Sequence, residues 1–190
     1  MTFWNEQLLD QFDFHWQHQL RPRLAGLSDD EYLWEPVPGA WNVRPRGTST
    51  APMSAGTGPF TIDWAWPEPV PAPVTTIAWR LGHVLVGCLA MRTASHFGRP
   101  PVDYDSFRYS GTAAEALAQL EEELARWRDG VRGWDDDALR QPCGPAEGPF
   151  ADAPRAALVL HIHRELIHHL AEVSLLRDLY THAHPTTEEN

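Results

Sequence analysis

The residues best suited to acid–base or metal chemistry concentrate near the C-terminal end of this chain. Six of its ten histidines lie at positions 161–184, and four of them fall in the run HIHRELIHH. At about 100° per helical residue, Glu165 and His169 project one turn apart from the apolar side of a helix. The same rotation predicts that His163 points almost directly away from Glu165. The spacing therefore puts a carboxylate and an imidazole on a face that should be buried.

A second histidine lies on another helix that should face the first. His83 stands in the middle of an apolar and small-residue surface of a helix predicted over 75–97. Together with Glu165 and His169 it would complete an open metal site of two imidazoles and one carboxylate. A hydrogen-bonded core histidine and a self-satisfied Glu–His pair explain the same pattern without a metal. The spacing alone leaves both interpretations open.

Composition restricts the classes of protein that remain. The chain has 190 residues, 43% hydrophobic and 22% charged, which predicts one soluble domain over 1–190. Its formal net charge is −11, so neither nucleic acid nor an anionic membrane surface is expected as a partner. All 15 basic residues are arginines. The lack of lysine excludes a P-loop and any Schiff-base mechanism.

Cysteine usage and hydropathy predict a cytoplasmic protein. Cys88 and Cys143 have no zinc-ribbon spacing, and two thiols are too few for a secreted disulfide framework. The N-terminal segment has neither a basic nor a strongly apolar region typical of a signal peptide. No apolar run approaches the roughly 18 residues that a membrane span needs.

The periodicity predicts an all-α protein built as a four-helix bundle. Proline, glycine, serine and threonine dominate 26–74, which is interpreted as a long irregular crossover without a strand pair. Its tryptophans should hold it on the surface of the bundle. Residues 181–190 are interpreted as a polar tail. The four predicted helices cover 2–20, 75–97, 113–134 and 155–180.

The predicted boundaries of two helices depend on capping residues. Thr75 or Thr76 follows the last proline of the crossover and should cap the second helix. Asp152 is the predicted cap of the fourth helix, with Pro154 in its first turn.

Three segments resemble the DinB superfamily, which includes the DinB/YfiT-like metalloenzymes. They are TTIAWRLGHVLVGCLAMR, the WNVRPR run after EYLWEPVPGA and, most specifically, RELIHHLAEVSLLRDLY. The resemblance extends from the first helix to about Tyr180. It implies a four-helix bundle with up-down-down-up connectivity and a long first crossover. It also implies a divalent metal held by one histidine on the second helix and two ligands on the fourth, here His83, Glu165 and His169.

The resemblance also implies an activity. Many relatives carry histidine at the position of Glu165, and the His/Glu/His set is similar to that of the mycothiol-dependent maleylpyruvate isomerases. This similarity implies a low-molecular-weight thiol, mycothiol or bacillithiol, that reacts with an electrophilic substrate in S-transfer or isomerisation. Family analogy favours zinc or nickel, and two histidines with one carboxylate also suit ferrous iron. A metal with an open position would lower the pKa of a bound thiol.

Supporting roles are assigned to residues near the predicted ligands. Glu172 lies one further turn along the fourth helix and could act as a catalytic base or hydrogen-bond a ligand imidazole. Arg80 could bind a carboxylate of the thiol cofactor. Arg44 and Arg46, in the crossover, could contact a ligand or remain solvated.

Two other functions fit the same residues. A hydrolase would use a metal-bound water with Glu172 as base. A non-catalytic, stress-associated metal-binding protein, dimeric through an exposed helix face, would close the site with a fourth ligand such as His161 or His168. Dependence of turnover on an added thiol distinguishes the transferase from both.

Overall fold

The computed structural model describes residues 3–185, so the predictions for Thr2 and for 186–190 lie outside it. The chain is mostly helical, with 59% of residues in helix. The α-helices are α1 (Phe3–His15), α2 (Arg21–Leu24), α3 (Asp29–Leu33), α4 (Ile77–His83), α5 (Met91–Phe97), α6 (Ala113–Arg132), α7 (Asp136–Arg140) and α8 (Arg155–Ala183). Two π-helical segments, Trp16–Leu20 and Val84–Ala90, continue α1 into α2 and α4 into α5.

The second and third predicted helices are confirmed, and so is the threonine cap of the second. Thr76 Oγ1 accepts a hydrogen bond from the Trp79 amide at 3.2 Å, which satisfies one of the free N–H groups at the start of α4. Gly98 adopts a left-handed conformation, with φ of 70°, and ends α5. Thr112 caps α6 in the same way as Thr76 caps α4.

The boundaries of the first and last helices differ from the prediction. The π-helical turn carries the first helical segment past residue 20 to Leu24, and Pro22 lies directly after that turn. Asp152 does not cap α8, because Pro154 occupies that position without a side-chain hydrogen bond. The tail was also predicted to begin too early, since α8 continues to Ala183.

The all-α prediction is wrong for the crossover 26–74. This segment contains α3 and an antiparallel sheet of β1 (Val43–Pro45), β2 (Met53–Ala55) and β3 (Phe60–Trp64), ordered β1-β3-β2. Strands of three to five residues are too short to give an alternating hydrophobic pattern, and the prolines around them indicated a loop. The sheet makes the crossover an ordered cover beside α4.

A buried carboxylate fixes the sheet. Asp63 is 1% exposed, and its Oδ2 accepts hydrogen bonds from the Arg44 Nε at 2.8 Å and from the backbone N–H of Asn42 at 2.9 Å. Arg46 donates at 2.7 Å to two carbonyl groups of the β2–β3 turn. Arg44 and Arg46 therefore have structural partners within the sheet.

The core lies between the long helical segments. Helix α1 packs against α6 and α8, and α4 with the following π-helical turn packs against the same two helices. Burying each large apolar side chain contributes about 1.5–3 kcal/mol before the entropy cost of ordering is counted. Between residues 3 and 185 no helix is long and apolar enough to cross a membrane. The largest fully buried side chains include Trp127, Phe12, Leu124, Leu166 and Leu170.

His163 belongs to this core, in contrast to the outward position that its angle from Glu165 suggested. Its side chain accepts a hydrogen bond from the Trp127 Nε1–H at 3.2 Å and stacks on Phe12, with ring centroids 4.9 Å apart. The buried stripe of α8 is centred near Leu166 rather than on Glu165, so His163 lies at one edge of it. Burial lowers the pKa of His163 to about 4.

We expect His163 to make the protein acid-sensitive. In the unfolded chain its pKa is about 6.5, so the unfolded state takes up the proton first as pH falls. The stabilisation is complete above that pH and is lost as pH falls towards 4, by about 3 kcal/mol in all. Urea unfolding at several pH values should show a shallower loss for His163→Gln than for the wild type. Parallel pH profiles would contradict the expectation.

Candidate metal centre

His83 is the last residue of α4, where two aromatic side chains hold its ring. Its ring stacks on Trp79, with centroids 5.6 Å apart and planes 9° apart. Its Nδ1 forms a hydrogen bond of 2.7 Å with the Tyr104 hydroxyl. A Cβ at Gly87 would lie 2.5 Å from that hydroxyl oxygen, so the glycine leaves the space that Tyr104 fills.

The surroundings of His83 keep its imidazole neutral. Burial, followed by the nearby His169 and Arg80, lowers the pKa of His83 to about 4. When the Nδ1–H donates to Tyr104, the remaining lone pair resides on Nε2. A neutral imidazole with one nitrogen tied and one free is the form in which histidine binds a metal.

His169 is held in the same manner on α8. Its Nδ1 lies 2.8 Å from Glu172 Oε2, and because a carboxylate only accepts hydrogen bonds, Nδ1 carries the proton. Its Nε2 is 3.6 Å from Glu165 Oε2. The His83 and His169 rings meet edge to face, with centroids 4.8 Å apart. The structure thus brings all three predicted metal ligands to one place, between α4 and α8.

Glu165 stands at the border between this interior and the surface. Its side chain is 27% exposed, and Oε1 lies 3.4 Å from His161 Nδ1 and 3.3 Å from Arg164 Nη2. Burial, reinforced by the negative charge of Glu165, raises the pKa of Cys88 to about 12. The Cys88 thiol is therefore uncharged at neutral pH and is no nucleophile.

Glu172 and Arg80 contact each other. Glu172 Oε2 lies 3.2 Å from the Arg80 Nε as well as against His169, and the Arg80 guanidinium lies 5.5 Å from the centre of the Trp79 ring. These contacts correspond to the hydrogen-bonding role for Glu172, one of the two that the sequence left open. Arg80 thus has partners within the protein, and its assignment to a carboxylate of the thiol cofactor stays a prediction.

A second set of possible ligands overlaps the predicted one. In the described part of the chain, the side chains whose ligand atoms all lie within 4.8 Å of one another are those of His168, His169 and Glu172. The trio of His83, Glu165 and His169 is not drawn together that closely. His169 is common to both sets, and the His168 side chain is 64% exposed.

Sequence reasoning missed Tyr104, which determines the orientation of His83. Tyr104 lies between α5 and α6 in an irregular loop, where no periodicity relates a residue to the helix that it contacts. Only the folded chain shows that a tyrosine 21 positions after His83 returns to it.

The helices and facing histidines define a class of helical protein with a candidate site for a divalent metal. A family model described as the DinB superfamily matches residues 53–173, which is more than half of the chain. The chain belongs to the DinB superfamily. No curated protein and no solved structure gives a significant match.

Proposed function

We propose that His83, Glu165 and His169 bind a divalent metal ion. The observation that carries the proposal is the matched pair of hydrogen bonds from the two imidazoles. Tyr104 engages Nδ1 of His83 and Glu172 engages Nδ1 of His169, which leaves Nε2 of each ring as the available donor atom. Zinc or nickel suits this donor set, as does ferrous iron.

The overlapping set of His168, His169 and Glu172 is the weaker candidate. Glu172 already accepts a hydrogen bond from His169 and forms an ion pair with Arg80, so a metal there would compete with both contacts. His168 is mostly solvated, and its Nε2 is 3.6 Å from Glu172 Oε1. In our assignment Glu172 keeps its partners and holds the His169 ring in place.

For the reaction we propose transfer or isomerisation that uses a low-molecular-weight thiol, mycothiol or bacillithiol, and an electrophilic substrate. When bound, the metal would act as a Lewis acid that lowers the pKa of the thiol. The buried, protonated Cys88 does not compete as a nucleophile. The hydrogen bonds that the two imidazoles donate to Tyr104 and Glu172 hold the rings in place and therefore restrict where the thiol sulfur can bind. The similarity to mycothiol-dependent maleylpyruvate isomerases is part of this proposal.

The finer architecture is also a proposal. The helical segments 3–24, 77–97, 113–132 and 155–183 would form a four-helix bundle with up-down-down-up connectivity, and 26–74 would be its long first crossover. The packing of α1 against α6 and α8 supports this arrangement.

We also propose a cytoplasmic location. Cys88 and Cys143 are free thiols, which supports a reducing, cytoplasmic setting.

The reaction can be tested with monochlorobimane, which becomes fluorescent when a thiolate displaces its chloride. Protein loaded with Zn²⁺ or Ni²⁺ is mixed with mycothiol or bacillithiol and the probe. We expect the rate to exceed the uncatalysed rate only when both metal and thiol are present. His83→Ala should abolish the excess, and His168→Ala should retain it. Metal-dependent hydrolysis of an ester without thiol, together with no thiol transfer, would contradict the proposal and support a hydrolase.

Tyr104→Phe should weaken metal binding by about 10- to 100-fold, because losing the hydroxyl frees the His83 ring and its tautomer. Competition with a chromogenic chelator measures the change. Gly87→Ala should have a similar effect, since its Cβ would displace the Tyr104 hydroxyl. Tyr180→Phe is the matched control, because it removes the same hydroxyl group near the C-terminal end of α8, away from His83. Equal affinity in Tyr104→Phe and the control would show that the hydroxyl has no such role.

A further inference from the structure

A groove of about 540 Å³ lies between the first turns of α8 and the segment that precedes it. Leu158 and Ala153 form part of its apolar wall, and the ring of Phe150 is 71% exposed beside it. His161 and Arg164 line the groove from the next turn of α8. The groove thus has an apolar body and a polar end.

The wall of the groove is fixed in place by contacts of Glu147 with α5. Pro145–Phe150 form a 3₁₀ segment with a kink at Gly148, and Glu147 within it contacts α5. Its carboxylate lies 2.9 Å from His96 Nε2 and 3.3 Å from Arg92 Nη2, and the side chain is only 7% exposed. These contacts hold the turn over the helices, so the groove does not need a ligand to form it.

The polar end of the groove carries two arginines, each paired with a carboxylate. Arg92 pairs with Glu147, and its side chain is mostly buried. Arg164 is 68% exposed and contacts Glu165 and His161 through Nε and Nη2, which leaves Nη1 accessible to a ligand. A guanidinium with a free N–H edge beside an apolar groove favours a ligand that carries a carboxylate.

The groove adjoins the candidate metal centre through the same residues. His161 and Arg164, which line it, both contact the carboxylate of Glu165. On the other side, Arg92 Nη1 donates at 2.8 Å to the carbonyl oxygen of Gly87, the residue beneath Tyr104. A ligand whose charged group reaches Arg164 therefore lies next to Glu165.

We propose that this groove binds an organic acid with an apolar body. The carboxylate pairs with Arg164, and the apolar part lies along Leu158 and Phe150. The binding site itself rests on the groove and its charge. The identification of the acid as the electrophilic substrate rests on the proposed function.

The test measures the binding of phenylacetate to metal-free protein, so that a carboxylate cannot bind through a metal ion. Phenylacetamide is the neutral control of nearly the same shape. Isothermal titration is performed on the wild type, on Arg164→Gln and on Ala157→Trp, which places a large ring in the groove at an exposed helical position. Arg132→Gln, at an exposed arginine at the end of α6, is the matched control.

We expect saturable binding of phenylacetate and at least roughly tenfold weaker binding of the amide. Arg164→Gln should weaken phenylacetate binding by a similar factor, Ala157→Trp should abolish it, and Arg132→Gln should leave it unchanged. Equal binding of acid and amide, no saturable binding, or an Arg164→Gln protein that binds as the wild type does would overturn the proposal. Acid binding without thiol transfer would overturn the proposed function alone, and thiol transfer without acid binding would overturn the groove alone.

Discussion

Adding Zn²⁺ to metal-free protein at a thousand times its dissociation constant is expected to raise the free energy of unfolding by about 4 kcal/mol. The reason is mass action. The folded chain brings His83 close to His169 and Glu165, whereas in the unfolded chain the ligands are not held together in space, so the metal binds the folded state in preference. Thermal or urea unfolding with and without the metal measures the gain. A chelator should reverse it.

The stabilisation should depend on the proposed ligands in particular. His83→Ala and His169→Ala are expected to remove most of it, whereas His168→Ala should keep it, since His168 lies on the exposed side of α8. If His83→Ala gained as much stability from Zn²⁺ as the wild type, the metal would have to bind elsewhere. The three variants together therefore separate the two overlapping ligand sets.

Asp63→Ala is expected to destabilise the fold by about 3–5 kcal/mol. The variant would remove the Asp63 carboxylate that pairs with the mostly buried Arg44 guanidinium. It would also leave the backbone N–H of Asn42 without its acceptor. Chemical unfolding monitored by circular dichroism measures the loss. Asp137→Ala is the matched control, because Asp137 is 90% exposed and pairs with Arg140 on the surface.

The effect of Asp63→Ala should extend to the metal centre. The Trp79 indole donates at 2.9 Å to the backbone carbonyl of Asp63, and His83 stacks on the same indole. A loosened β3 should therefore loosen the support of His83 and weaken Zn²⁺ binding in the chelator assay. Similar stabilities of Asp63→Ala and Asp137→Ala would show that the buried pair does not fix the sheet.

The long helices could be predicted from the sequence because their signals are local. Apolar periodicity and the threonines at 76 and 112 determine where α4 and α6 begin. The sheet in 26–74 could not be predicted, because its strands are short and depend on long-range contacts such as the one between Arg44 and Asp63. The superfamily itself could be recognised from the sequence, and the match over 53–173 confirms it.

The candidate site could be predicted only as far as its helical residues. Helical geometry identified Glu165 and His169 as neighbours and His83 as a core-facing histidine. The hydrogen bond between His83 and Tyr104 depends on the path of a loop, which no local pattern records. The position of His163 was misjudged because the rotation was measured from Glu165, which lies at the border of the buried stripe rather than at its centre.

The most direct test is the metal content of the purified chain after saturation with Zn²⁺ and removal of the free ion. We predict about one ion per chain in the wild type and in His168→Ala, and little or none in His83→Ala. Circular dichroism should confirm that all three proteins are folded. Full metal content in His83→Ala, with loss of the metal in His168→Ala, would contradict the assignment of the metal to His83, Glu165 and His169.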